Sequence, residues 1–564
     1  MTSMMMGPTL PISEEIDKMK YRGDGEDFAG KVYRISATLA DNDDHRVALK
    51  DILGNMRFLP AGRVQTDIGS PRQVTAFNCF VSGIIEDSMS SIMEKATEAA
   101  ETMRRGGGIG YDFSRIRPRG DWIKSLDSRA SGPISFAHIF DAVCGTISSA
   151  GHRRGAQMLV LRVDHPDVEE FITCKNNSDK LTGFNISVGV TDEFMQALET
   201  GTPFQLKFEG KVYKEVDPVE LWEKIMRSTW DWAEPGVLFL DTINKYNNLW
   251  YCETLEATNP CAEQCLPPYG ACLLGSFNLT QYVTHSGDFD YDQMKKDIHH
   301  VVRAMDNVID KTSYPLPQQK QEAKNKRRMG LGVTGLANAG EMMGLPYATE
   351  KFLDFQRKVL ACLRDECYTA SAMLAAEKGA FPMFKRDLYL QGEHIKSLPE
   401  RVRNLIQQHG IRNSHLTSIA PTGTISLSAD NVSSGIEPPF SLFYDRTIQT
   451  FDGPIVERVE DYAFARQVSG RTANEIEASE HMSVLLVAQE YIDSACSKTC
   501  NVGDHVKFEE FKKLYYDAWK GGAKGCTTFR ASGQRFGVLN EVKEEEQKAE
   551  ACFIDPETGM KSCE

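Results

Sequence analysis

Two hydrophobic rhythms share this chain: apolar positions three or four apart over long stretches, and short apolar runs bounded by glycine, proline or charge. Up to about Leu59 the period is helical and the polar positions are heavily charged, with S-E-E-I-D-K-M-K reading as a helix capped at Ser13. From F-L-P-A-G-R onward strand and loop patterns take over, and Cys79 falls in T-A-F-N-C-F-V-S, an apolar run typical of a buried strand. Helical periods in S-S-I-M-E-K-A-T-E-A-A-E-T-M and I-S-F-A-H-I-F-D-A-V-C-G-T-I precede a strand in M-L-V-L-R-V. A helix in D-V-E-E-F-I-T-C-K, a strand in F-N-I-S-V-G-V and a helix in T-D-E-F-M-Q-A-L follow. This alternation predicts an α/β domain. Farther on, M-K-K-D-I-H-H-V-V-R-A-M-D-N-V-I-D and the stretch from Phe352 to Lys378 have the period of long helices. From about Asn540 the charged E-V-K-E-E-E-Q-K-A-E reads as a linker. Three parts result: a helical segment 1–58, a body 59–539 and a tail 540–564.

Bulk properties narrow the class. A length of 564 residues allows a large core, and 41% apolar with 25% charged residues is ordinary for a globular enzyme. The net charge of -15 argues against general affinity for nucleic acid or anionic membrane, so a phosphorylated ligand needs a local site. With no membrane-length apolar run and no signal-peptide pattern at the start, a cytoplasmic setting is expected. Fourteen cysteines without a repeated spacing are expected to be mostly reduced. Cys144, Cys174, Cys252, Cys362 and Cys367 read as core thiols. Cys496 and Cys500, expected on one helix face near His505, lack a second ligand pair, and no metal site is assigned.

The chemistry concentrates in T-N-P-C-A-E-Q-C-L-P-P-Y-G-A-C-L-L-G-S-F-N-L, Thr258 to Leu279. An extended backbone would project Asn259, Cys261 and Glu263 to one side, placing an amide, a thiol and a carboxylate together. Cys272 lies in an apolar segment that reads as a strand, and with Cys79 it could form a reversible dithiol pair. A base, a hydrogen-bond donor and thiols point to radical or redox chemistry.

Two basic glycine loops, R-R-G-G-G-I-G-Y-D-F-S-R-I-R-P-R-G-D-W-I-K and S-S-A-G-H-R-R-G-A-Q-M, suggest nucleotide ligands in an acidic chain. In L-T-S-I-A-P-T-G-T-I-S-L an apolar strand runs into Pro421, Thr422, Gly423, Thr424, Ile425 and Ser426, a hydroxyl-rich loop suited to phosphate if a helix follows. Cys552 and Cys563 in the tail could carry electrons between a buried disulfide and an external reductant.

Taken together, N-P-C-A-E, G-A-C-L-L-G-S-F-N-L, F-N-C-F, G-G-G-I-G, R-R-M-G-L-G-V-T-G-L and A-P-T-G-T-I-S resemble the catalytic subunit of ribonucleotide reductase, in the family's order from about Leu59 to Leu539. The resemblance implies a ten-stranded α/β barrel of two half-barrels with a central finger loop carrying the radical cysteine. By motif, Cys261 is implied as the thiyl radical that takes the ribose 3′ hydrogen, Glu263 as general base on the 3′ hydroxyl, and Asn259 as the holder of the ribose hydroxyls. Cys79 and Cys272 would reduce the substrate and become a disulfide. Cys552 and Cys563 would re-reduce them, with thioredoxin or glutaredoxin as the source, although their spacing departs from the family's close pair. The Pro421 to Ser426 loop would hold phosphates; Ala76, Asn78 and Gly107 would line the substrate.

Asp87, Arg117 and Lys124 match the specificity-effector site, which reads a deoxynucleoside triphosphate or ATP at a homodimer interface. The loop from Gly151 to Gln157 would pass that information to the substrate base. The short N-terminus implies no full ATP cone. Where subunits with a separate metal-containing radical generator have an adjacent tyrosine pair, this chain has Thr527 and Thr528, so adenosylcobalamin is the implied radical source. Tyr515 and Tyr516 fit as packing residues on a helix. The alternative is a catalytic subunit needing that separate radical-generating partner. A general thiol-disulfide oxidoreductase would need a compact C-x-x-C, which is lacking. A non-catalytic nucleotide-binding regulator would give no reason for Asn259, Cys261 and Glu263. Diphosphate and triphosphate substrates both remain open.

Overall fold

Three helices, Pro11–Tyr21, Phe28–Leu39 and Asp43–Gly54, occupy the N-terminal segment in this computed structural model. The structure describes residues 7–147, 156–176, 180–450, 453–530, 533, 539–541, 552–554 and 561–563. The second and third helices start at side-chain caps, Asp27 accepting from the Gly30 N–H and Asn42 from the His45 N–H. Ser13 is not a cap. It lies inside the first helix, whose N1 is Pro11, and its buried hydroxyl donates to the Leu427 carbonyl at 2.6 Å. A tertiary contact 414 residues away has claimed the side chain that local pattern assigned to helix initiation.

The body is a mixed α/β fold. Five strands, Cys79–Val81, Gly108–Asp112, Gln157–Arg162, Phe184–Val190 and Gly236–Phe239, lie parallel in chain order. Helices Met89–Arg104, Pro133–Thr146, Val168–Thr173, Asp192–Thr200 and Pro218–Trp232 form the crossovers between them. These strands are nearly continuous apolar runs because both sheet faces are covered. Ala271–Cys272 joins one edge antiparallel; Gly525–Phe529 joins the other antiparallel, with Thr499–Asn501 parallel beside it, completing an eight-stranded sheet. The expectation that Cys496 and Cys500 share a helix face is therefore wrong: Cys500 is in a strand, and Cys496 precedes it in single-bridge pairing with Ile419.

A three-stranded sheet, ordered Phe58–Pro60, Leu274–Asn278, Gly330–Thr334, continues from the Ala271–Cys272 edge with one residue between. Leu331 bridges to Thr417 in parallel. One apolar core fills the space between the large sheet and its crossover helices, around Tyr111, Phe140, Phe184 and Ile225. The other surrounds the long helices Tyr291–Lys311 and Glu350–Lys378, with Phe277, Leu331 and Val333 inside it. Among the described residues no helix is long and apolar enough to cross a membrane. In the tail, the Cys552–Ile554 and Lys561–Cys563 strands pair antiparallel with Cys552 opposite Cys563.

Candidate active site

The stretch expected to be extended is a hairpin. Ala257–Thr258 pairs antiparallel with Cys265–Leu266, and residues between them turn back on themselves. The Asn259 N–H donates to the Gln264 carbonyl at 3.1 Å, and the Ala262 N–H donates to the Asn259 carbonyl at 3.0 Å. The Asn259 side-chain oxygen accepts from the Gln264 N–H at 2.9 Å, and Ala262 completes the reversal with φ of 63°. Asn259 therefore has two jobs its sequence position does not separate. Its Oδ1 closes the turn, while its Nδ2 is buried without a protein partner. A buried donor in that state calls for a ligand or water.

Close packing holds the hairpin against the large sheet. A Cβ on Gly110 would overlap the carbonyl oxygen of Thr258, so only glycine permits this approach. Asn185, from the Phe184–Val190 strand, donates its Nδ2 to the Pro260 carbonyl at 2.9 Å. One glycine joins the groups at the tip: a Cβ placed on Gly108 would lie 3.1 Å from Pro260 Cγ and 3.3 Å from Cys79 Sγ.

Cys79 and Cys272 are direct partners across their antiparallel ladder. Cys272 is fully buried and Cys79 partly exposed. Burial pushes the Cys272 thiol well above its ordinary range, with the nearby Glu263 carboxylate and the Cys79 and Cys261 sulfurs adding to the rise. These side chains thus share one electrostatic neighbourhood, and Cys272 keeps its proton at neutral pH. Cys261 is partly exposed, Glu263 buried. Asn78 follows from the same strand entry: its N–H donates to the Cys272 carbonyl at 3.2 Å, and its buried Oδ1 has no protein partner. Its carbonyl accepts from the Gly108 N–H at 2.9 Å, next to Gly107. Ala76 is anchored through its N–H to Thr312 Oγ1 at 2.8 Å, and that hydroxyl donates to Asp67 at 2.6 Å.

The Pro421 to Ser426 loop does run into a helix, Gly423–Leu427, with Thr422 at φ of 51°. The Thr422 and Ser426 hydroxyls face inward: their Oγ atoms lie 2.9 Å apart, and each is within 3.0 Å of Thr334 Oγ1. Thr422 Oγ1 also accepts from the Gly435 N–H at 2.7 Å. What the loop offers outward are Pro421 and Thr424, both exposed, and backbone N–H groups of a first helical turn at Thr424 and Ile425.

Farther off, Arg117 donates to Asp87 through Nε at 2.6 Å and through its backbone N–H at 3.1 Å, while Lys124 is exposed between the short strands Trp122–Ile123 and Ser128–Arg129. Residues 151–155 of the second glycine loop lie outside the described residues. Tyr515 is buried, its hydroxyl 2.9 Å from Thr528 Oγ1, and Tyr516 donates to Glu199 at 2.6 Å; both serve packing and surface bonding on the helix Phe508–Lys520. The side chains sequence reading missed are Asn185, Thr312, Ser418 and Ser494. None of them stands in a motif, and only the tertiary pairing gives each its meaning.

Similarity to known proteins agrees with this geometry. Residues 77–465 and 466–529 match the family described as ribonucleotide reductase, barrel domain. A protein of Mycobacterium tuberculosis (strain CDC 1551 / Oshkosh) named vitamin B12-dependent ribonucleoside-diphosphate reductase is 35% identical over 522 residues, 87% of this chain and 72% of that protein. A protein of the same name from Thermoplasma acidophilum is 34% identical over 533 residues, covering 89% and 67%. A vitamin B12-dependent ribonucleotide reductase of Streptomyces clavuligerus is 27% identical over 614 residues, covering 93% and 64%. With its family match spanning the sheet, the hairpin and the closing C-terminal strands, this chain belongs to the ribonucleotide reductase family.

Proposed function

We propose that the chain reduces ribonucleoside diphosphates to 2′-deoxyribonucleotides by thiyl-radical chemistry with adenosylcobalamin, in the service of DNA synthesis. The observation that carries this reading is the juxtaposition of Cys79 and Cys272 beside the hairpin of Asn259, Cys261 and Glu263. The diphosphate level and the corrinoid come from the names of the Mycobacterium and Thermoplasma relatives.

The residues suit such a reaction. A thiyl at Cys261 takes the 3′ hydrogen of the ribose while Glu263 accepts the 3′ hydroxyl proton. The 2′ hydroxyl leaves as water, taking one proton from the dithiol; Cys79 and Cys272 supply the second hydrogen, which ends on C2′, and two electrons in all, and join as a disulfide, while Cys261 regains its thiyl by returning a hydrogen to C3′. Cys272, held protonated by burial, is suited to giving that proton. Asn259 Nδ2 and Asn78 Oδ1, both buried and unpartnered, offer a donor and an acceptor to the ribose hydroxyls. Ala76 and Gly107 frame the substrate, and the turn Pro421, Thr422, Gly423, Thr424, Ile425, Ser426 meets its phosphates through backbone N–H groups.

Among the described residues no group of three or more His, Cys, Asp or Glu is placed to hold a metal ion. A corrinoid brings its own metal ligands, and the partly exposed Cys261 thiol suits its approach. Adenosylcobalamin, when bound, supplies the radical that is passed to Cys261.

The strand pairings support the ten-stranded barrel: eight strands of the large sheet, the Thr417 to Ile419 segment and Gly330–Thr334 form a succession of neighbours that returns to Leu274–Asn278, in continuity with Ala271–Cys272. The hairpin is then its finger loop. Asp87, Arg117 and Lys124 form the specificity site for a deoxynucleoside triphosphate or ATP in a homodimer. Cys552 and Cys563 pass electrons from thioredoxin or glutaredoxin in a cytoplasmic setting.

The test is reduction of CDP and CTP by the purified chain with dithiothreitol, an effector panel, and adenosylcobalamin present or absent. Turnover of CDP that requires the corrinoid supports the reading. Turnover only on addition of a separate metal-containing subunit replaces its radical source, and no turnover with folded, nucleotide-bound protein rejects it.

A further inference from the structure

The backbone carbonyl of Glu263 accepts from three donors: Ser418 Oγ at 2.9 Å, Ser494 Oγ at 3.1 Å and the Ala495 N–H at 2.9 Å. A carbonyl has two lone pairs, so this is more fixation than one peptide needs for satisfaction. All three donors are buried and come from two segments outside the hairpin. Those segments are themselves locked together. Ile419 pairs with Cys496 in parallel, and the Asp493 carboxylate accepts from the Leu416 N–H at 2.7 Å and from Tyr368 at 2.6 Å. Behind them the buried Lys524 donates Nζ to the Asp493 and Ser494 carbonyls, both at 2.6 Å.

Resting on the reading of Glu263 as general base, we propose that Ser418 and Ser494 are positioning residues that fix this base on the hairpin. The Ser418 segment continues directly into Pro421 and Thr422, so one rigid piece sets the Glu263 backbone relative to the loop proposed for phosphate. That spacing decides whether a bound nucleotide presents its 3′ hydroxyl to the carboxylate, and a displacement of a fraction of an ångström costs rate rather than affinity.

The experiment uses the full chain with adenosylcobalamin, CDP and dithiothreitol, comparing Ser418→Ala, Ser494→Ala and the double variant with Ser418→Thr and Ser494→Thr. In the double variant kcat is expected to fall about 10-fold or more with KM for CDP within about two-fold, and the acid limb of the kcat pH profile to move. The threonine variants, which keep the hydroxyl, recover most of the rate. Independently of turnover, hydrogen exchange at the Ala262 and Gln264 amides is expected to quicken about 10-fold in the alanine variants at a temperature where all remain folded.

An unchanged kcat, or a loss that follows Tm with the pH profile and hairpin exchange unmoved, overturns the proposal. If the double variant does not fold, the single variants decide by the same readouts. An inactive wild type would reject the reductase reading itself; unchanged hairpin exchange in an active enzyme rejects the anchor alone.

Discussion

Cys79 and Cys272 face each other across the antiparallel pairing of Ala271–Cys272 with Cys79–Val81, the register that brings two Cα atoms to about 4.5–5.5 Å, within reach of a disulfide. A single turnover of the chain truncated before Cys552, without external reductant, is therefore expected to remove two titratable thiols, and peptide mapping to find Cys79 joined to Cys272. Cys79→Ser or Cys272→Ser should leave the thiol count unchanged and end normal turnover.

Cys261→Ser should abolish deoxynucleotide formation while leaving nucleotide affinity within about two-fold, because a hydroxyl of similar size fills the same partly exposed position but forms no thiyl. Equilibrium binding beside a turnover assay checks this. Retained reduction would remove the central assignment.

Gly110→Ala tests the seating of the hairpin. The added methyl overlaps the Thr258 carbonyl, so the hairpin or the Gly108–Asp112 strand must move, at a cost of about 1–3 kcal/mol or more. Urea melts should show the loss, and activity should fall by more than the loss of folded protein explains.

A pH dependence follows from buried carboxyls. Burial, with the neighbouring Asp461 carboxylate, pushes Glu341 up to about 8, and Asn338 donates to both side chains. Asp67 and Asp112 are each pushed up to about 6 by burial. A carboxyl whose folded pKa exceeds its unfolded one contributes stability that is present below the unfolded value and lost as pH rises through the folded value. Stability should therefore decline from about pH 4 to about pH 8, with Glu341 dominating the upper part. Glu341→Gln should flatten the fall in Tm between pH 6 and 9; an equally steep fall in that variant would contradict the assignment.

Truncation before Cys552 should stop repeated turnover with thioredoxin yet permit one turnover, and dithiothreitol should restore repeated turnover. Equal steady-state rates with thioredoxin would remove the shuttle.

What the sequence made legible was whatever a local period writes. The strands at Cys79, Gln157–Arg162 and Phe184–Val190, the helices Met89–Arg104, Pro133–Thr146, Val168–Thr173 and Asp192–Thr200, and the long helices Tyr291–Lys311 and Glu350–Lys378 are present where expected, whereas much of the first glycine loop is the strand Gly108–Asp112. The strand read at Cys79 and the strand read at Cys272 are paired, with the two cysteines in register. What it concealed depended on partners far along the chain. Ser13 looked like a cap until Leu427 took its hydroxyl. Asn259 to Glu263 looked extended because alternation carries no information about Ala262 adopting a left-handed φ or about Asn259 bonding Gln264. The Thr499–Asn501 strand is too short and polar to announce itself, and its identity comes from pairing with Gly525–Phe529. The hydroxyls of Thr422 and Ser426 suggested contact with ligand, yet Thr334 turns them inward.

The order in which strands meet also sets a timetable for synthesis. Gly236–Phe239 obtains its outer neighbour only from Gly525–Phe529, and the Glu263 carbonyl obtains two of its three donors from Ser494 and Ala495. A ribosome adding residues at roughly 5–20 per second thus exposes Cys261 for on the order of 10–50 s before its supports exist. Such non-local closure is slow to form. During that interval the nascent chain carries the Cys261 thiol without the strand and the two donors that hold its hairpin in place.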